Sequence, residues 1–147
     1  MLIETLQQLF DRDLNKLKSE IESYQNEKSL WVIDKNIANS AGNLCLHLIG
    51  NLNWFIGATF GKTGYVRNRE LEFSQKDVPQ SELIQRIEET ILVVRQGLDA
   101  LTEEDLKTDY PIVVFEYKTT TTFFLVHLTA HLSYHLGQIN YHRRLLD

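Results

Sequence analysis

Apolar residues recur at three- and four-residue steps over most of this chain, and almost nothing interrupts them. Only two prolines, Pro79 and Pro111, occur in 147 residues, both near segment edges. A chain patterned this way folds into long amphipathic helices that bury one face. From about Leu2 to Asn26, residues Leu2, Leu6, Leu9, Phe10, Leu14, Leu17 and Ile21 form one such stripe. Glu27 to Ile37 reads as a connection, with Leu30, Trp31 and Ile33 packed against the helices. A second helix is expected from Asn39 or Ser40, either of which can cap it, to Phe60. It holds no ionised residue before Lys62, which predicts burial on most sides. Gly50 and Gly57 each cost this helix about 1 kcal/mol relative to Ala, so they mark places where a neighbouring helix or ligand could come close.

Gly61 to Val78 reads as a polar loop carrying Arg67, Arg69 and Glu70. The third helix begins near Pro79, with Leu83, Ile84, Ile87, Ile91, Val94, Leu98 and Leu101 as its stripe. Thr102-Glu-Glu-Asp resembles a capped short turn. Tyr110 to Lys118, rich in β-branched and aromatic residues, reads as a strand or hairpin fragment. The last helix runs from Thr119 or Thr120 to Leu146. Four long helices in a chain of this length predict one all-α domain over residues 1–147, a four-helix bundle with short connecting segments.

The net charge of −5, with both signs interleaved, argues against a nucleic-acid partner or an anionic membrane surface. Cys45 is the only cysteine, which excludes an intramolecular disulfide. No apolar run is long enough to span a bilayer, and the first residues turn polar at once, so the expected location is cytoplasmic.

Four of the five histidines, His127, His131, His135 and His142, lie on the last helix. With Gln138 they fall within an arc of roughly 80 degrees, a single polar stripe on an otherwise apolar segment. Two histidines at i and i+4 can aim both imidazoles at one ion. The fifth, His47, sits midway along the other strongly apolar helix, and bundles build metal sites from inward residues on facing helices. Three neutral imidazoles plus a water match an open zinc site. Spacing alone does not choose between His127/His131 and His131/His135. It also leaves His142, with Arg143 and Arg144, as a complement to the helix dipole.

The stretch His131-Leu-Ser-Tyr-His135-Leu-Gly-Gln138-Ile-Asn-Tyr-His, together with His47-Leu-Ile-Gly-Asn51, resembles the DinB-like superfamily of metal-binding four-helix bundles. Gly64-Tyr-Val-Arg67-Asn-Arg69-Glu70-Leu-Glu-Phe73 resembles a subgroup of it with no assigned activity. The resemblance implies that His47, His131 and His135 are the metal ligands, with one divalent ion between them. Zn or Ni are foremost, with Fe, Mn or Cu also compatible with imidazole donors. It further implies a homodimer and a small-molecule substrate, with a low-molecular-weight thiol transferred to an electrophile. A non-catalytic metal-binding stress-response or ligand-binding bundle is the alternative. On this reading His127 is a core histidine, a fourth ligand or a partner to the ligands, and Gln138 orients a ligand or satisfies a buried neighbour. Arg67 and Arg69 either clamp an anionic substrate or pair with Glu70 and Glu72. No acidic residue flanks the histidines in sequence, so no proton acceptor is evident there. Gly57 to Thr63 is one residue short of a phosphate loop and ends a helix instead of opening one.

Overall fold

The computed structural model describes residues 1–147, and all of its regular structure is helical. Five α-helices form: α1 (Leu2–Glu22), α2 (Ala41–Leu52), α3 (Arg69–Ser74), α4 (Gln80–Asp99) and α5 (Thr121–Leu146). The apolar stripes account for the long ones. Leu6, Phe10, Leu14, Leu17 and Ile21 of α1 are buried, as are Leu83, Ile87, Ile91, Val94 and Leu98 of α4. Every residue of α2 is buried, as its lack of ionised side chains requires. α1 packs on α4 and α5, while α2 packs on α3, α4 and α5. One continuous apolar core results.

Side-chain caps set several boundaries. Ser40 accepts a hydrogen bond from the Asn43 amide and starts α2, and Thr120 accepts from the Phe123 amide and starts α5. α1 stops at Glu22, short of the expected Asn26. Asn26 instead accepts from the Lys28 amide and caps a 3₁₀ turn, Glu27–Trp31. Thr102 and Asp105 bond reciprocally, amide to side chain in both directions, ahead of a second 3₁₀ turn at Asp105–Lys107. Pro79 sits just outside α4 rather than within its first turn.

Three expectations need correction. Tyr110 to Lys118 forms neither strand nor hairpin; one isolated bridge, Asp109 with Thr120, is all the pairing there. The segment is held by side chains instead. Tyr110 is buried, stacks on Phe124 and donates its hydroxyl to the Phe55 carbonyl at 2.6 Å. Gly61 to Val78 is not all loop, because Asn68 caps α3 within it. The second helix is not uniform either. After α2 it widens into a π-helical turn, Asn53–Ala58. There Asn53 donates to the Ile49 carbonyl and to Thr90 of α4. α4 crosses this turn closely enough that a β-carbon on Gly97 would lie 2.6 Å from Ile56 Cγ2.

No helix is long and apolar enough to cross a membrane. Phe10 is fully buried in the core on α1. Phe10→Ala should lower stability by about 3–5 kcal/mol, the usual cost of an aromatic-sized cavity, read from urea unfolding.

Candidate metal centre

The packing of α2 against α5 brings His47 to His131 and His135. One ligand-capable nitrogen from each ring lies within 4.8 Å of the others, a grouping that can hold a metal ion. His47 Nε2 and His131 Nε2 are 3.1 Å apart. His127 is half-buried one turn earlier, its ring against Phe115 and 6.2 Å from that of His131, and it stands outside the group. His142 is elsewhere. It is buried, with Tyr24 Oη 2.8 Å from its Nδ1 and the Val32 carbonyl 2.8 Å from its Nε2. The carbonyl can only accept, so Nε2 carries the hydrogen and Nδ1 accepts from Tyr24. His142 thus ties α5 to the end of α1 and to the connection beyond it, rather than serving the helix dipole.

Two of the triad's outer nitrogens are committed. His47 Nδ1 lies 3.0 Å from Glu72 Oε1, and His135 Nδ1 lies 2.7 Å from Gln138 Oε1. Each oxygen is an acceptor, so each ring carries its hydrogen on Nδ1 and presents an Nε2 lone pair. That is the tautomer a metal ligand needs, held by outer partners of the kind common around metal sites.

Glu72, expected from the sequence only as a partner for the loop arginines, also reaches His47, 25 residues away in the chain. It is buried on α3, and Arg67 Nε and Nη2 donate to its two oxygens at 2.9 and 3.0 Å. Burial alone would raise the carboxyl pKa. Hydrogen bonds from His47 and Arg67, with the Arg67 charge, outweigh it and hold the pKa below the ordinary glutamate value. Gly50 makes the space. A β-carbon there would fall 1.9 Å from Glu72 Oε2. Asn43 anchors α3 from below, donating to the Glu72 and Gln75 carbonyls. The arginines therefore part company: Arg67 pairs with Glu72 and its guanidinium lies over Phe55, while exposed Arg69 lies over Phe73.

Two buried atoms lack any hydrogen-bond partner, His131 Nδ1 and Asn51 Oδ1. In the metal-free chain, His131 Nε2–H can donate to His47 Nε2, which leaves His131 Nδ1 a bare lone pair. A cation accepted at Nε2 moves that hydrogen to Nδ1 and makes it a donor. The donor set therefore fits an ion: His47 and His135 present Nε2 lone pairs, and His131 offers one once its hydrogen moves to Nδ1. Cys45 takes no part: it is fully buried and its thiol is pushed up to about 12 by burial.

Burial first, then the neighbouring His135, His47, His127 and Arg67, pushes His131 down to about 3. Burial also lowers His135, against the opposing pull of Gln138. An unfolded imidazole titrates near 6.5. Between about pH 6.5 and 3 the unfolded metal-free chain therefore binds a proton at residue 131 that the folded chain refuses, so stability falls on acidification through this window. Urea unfolding at pH 7 and pH 5 should show a smaller loss in His131→Leu than in the unmodified metal-free chain.

No curated protein matches this chain. A family model described as "Protein of unknown function (DUF1572)" matches residues 1–147, so the chain belongs to the DUF1572 family.

Proposed function

We propose that this protein is a DinB-like four-helix bundle that holds one divalent ion through His47, His131 and His135. We further propose that it joins a low-molecular-weight thiol to an electrophile. The observation that carries the metal reading is the convergence of three rings from α2 and α5, two of them with their Nδ1 hydrogens already engaged. Zinc or nickel are the foremost occupants by the family resemblance, with iron, manganese and copper as further ones. When bound, the ion would supply Lewis acidity that lowers the proton affinity of an incoming thiol.

The chain's own residues then have distinct tasks. Glu72 fixes the His47 ring and its tautomer, and Gln138 does the same for His135. Arg67 neutralises Glu72, so it is not a free anion clamp; exposed Arg69 remains available to a charged substrate. Cys45 is sealed in the core, so the reacting sulfur comes from the substrate. In the transfer a sulfur–carbon bond forms, the bond from that carbon to its leaving group breaks with its electron pair, and the thiol proton is released.

Elemental analysis of protein carrying no histidine tag should find close to one divalent ion per chain. His131→Ala should abolish that occupancy and His142→Ala should retain it. Glu72→Gln, and Gly50→Ala by expelling the carboxylate, should each weaken metal affinity about 10- to 100-fold, measured by competition with a chelator. Turnover of a thiol with an alkylating electrophile in the loaded protein tests the transferase reading. Full metal occupancy without turnover on zinc, nickel, manganese, iron or copper would leave a non-catalytic metal-binding bundle.

A further inference from the structure

Helix α2 carries no ionised side chain, and every one of its residues is buried. A polar side chain in such a helix needs a partner for each atom it hides from water. Asn43 has them: it donates to the Glu72 and Gln75 carbonyls and accepts from Ser40 and Lys76. Asn53, at the start of the π-helical turn, donates to the Ile49 carbonyl and to Thr90. Asn51 differs: it is 7% exposed, and its Oδ1 has no hydrogen-bond partner. An acceptor stranded in this way costs stability. No hydrogen bond to Oδ1 from within the chain offsets that cost.

Asn51 occupies a particular place. Around the helix axis, Gly50 lies about 60 degrees to one side of His47 and Asn51 about 40 degrees to the other. Gly50 faces Glu72 on α3, so Asn51 stands on the side of His47 away from α3. His47 meets His131 and His135 of α5, with ring centroids 5.0 and 5.4 Å apart. Further along, Phe55 meets Phe124 at 5.0 Å. The two helices run antiparallel, so residue 51 falls between these contacts, level with His127. The His127 ring lies between those of Phe124 and His131 and packs on Phe115. Asn51 is thus placed on the seam between the histidine triad and a wall of phenylalanines. Arg67 borders the same interval, close to His47 Nδ1 and over Phe55, yet it directs Nε and Nη2 to Glu72.

We propose that Asn51 is a ligand-binding residue: its Oδ1 accepts a hydrogen bond from an N–H or O–H group of the molecule that enters the metal centre. The inference rests on the proposed metal and thiol reading, and it names what that thiol must carry. A ligand whose sulfur lies at the triad extends along the α2–α5 seam, with its donor at Asn51 and its apolar part against the phenylalanine wall. Asn51 is four residues from His47, about 6 Å of rise. A donor two carbons from the sulfur, plus a hydrogen bond of about 2.9 Å, covers that span. Entry past Phe115 requires no helix to move, because the segment from Tyr110 to Lys118 has no regular structure. A thiol lacking the donor leaves Oδ1 stranded, and a site built to accept a hydrogen bond discriminates against it.

A purely structural role for Asn51 makes the opposite forecast. If the amide held the helices together, its removal would weaken the fold. If Oδ1 is kept for a ligand, leucine of similar shape removes an unmet bond, and the ligand-free fold keeps or gains stability. Stability and binding then oppose each other at a single side chain, as they commonly do where a site is built into a core.

N-acetylcysteamine and 2-mercaptoethyl acetate are thiols of one shape, the first with an amide N–H where the second has an ester oxygen. Calorimetry on the zinc-loaded full chain should show the amide binding about tenfold more tightly than the ester, the usual contribution of one hydrogen bond at a buried acceptor. In Asn51→Leu the two should bind within about twofold of each other, with metal occupancy unchanged. The urea midpoint of metal-free Asn51→Leu should equal or exceed that of the unmodified metal-free chain. Equal affinities in the unmodified chain would mean that solvent alone serves Oδ1 and would overturn the proposal, as would a lowered midpoint in the variant. Protein that holds no ion would overturn the metal reading instead, and the urea midpoint, which needs no metal, would then decide alone whether Asn51 is structural.

Discussion

An ionised carboxylate inside a helical protein has to be satisfied at every oxygen, and Glu72 imposes that demand on two separate stretches of chain, α2 and the loop before α3. Arg67 supplies two donors, His47 supplies one, and Gly50 withholds a side chain so that the group fits. The cost of removing the carboxylate from water is offset by these bonds, not by solvent. The same bonds fix the short α3 over α2 and choose which nitrogen of His47 is left bare. Local electrostatics and helix placement are one problem here, and solving it sets the orientation of a ring at the centre of the molecule.

The opposite side of the centre is ordered differently. His135 is oriented within its own helix by Gln138, three residues on. His131 has no partner at Nδ1 and meets only the neighbouring His47 at Nε2, and its low proton affinity follows mainly from burial. One ring is held by a distant element, one by its own helix and one by packing and a contact with another ring of the triad. The three therefore differ in how far they can shift when the surroundings change, with His131 the least restrained.

How much of this was legible in the sequence depended on distance along the chain. Helical periodicity located α1, α4 and α5, and hydroxyl caps located the starts of α2 and α5, because both signals are local. The placement of His47 near His131 and His135 needed only two helices and a family pattern. Glu72 was legible as an arginine partner, but its contact with His47 escaped because it sits on a six-residue helix with no periodic stripe of its own, and the fact that explains it, an absent β-carbon at Gly50, lies on another element. A glycine in a helix otherwise free of ionised groups, at a cost of about 1 kcal/mol, was the trace it left. The segment from Tyr110 to Lys118 misled for a different reason. β-branched and aromatic residues suit strands, but here Ile112, Phe115 and Tyr110 pack against the core with no second strand to pair with.

The π-helical turn at Asn53–Ala58 has a consequence for how tolerant the chain is to changes in length. Such a turn carries an additional residue relative to regular helix. Deleting one residue there is absorbed by a return to ordinary winding, whereas the same deletion between His47 and Asn53 in regular helix would rotate everything downstream by about 100 degrees. His47, upstream, would keep its place. Phe55, which receives the Tyr110 hydroxyl and underlies Arg67, would leave both partners. The aromatic wall and the histidine cluster are thus set by separate arithmetic along a single helical rod, and a shift in reading length by one position within α2 would uncouple them.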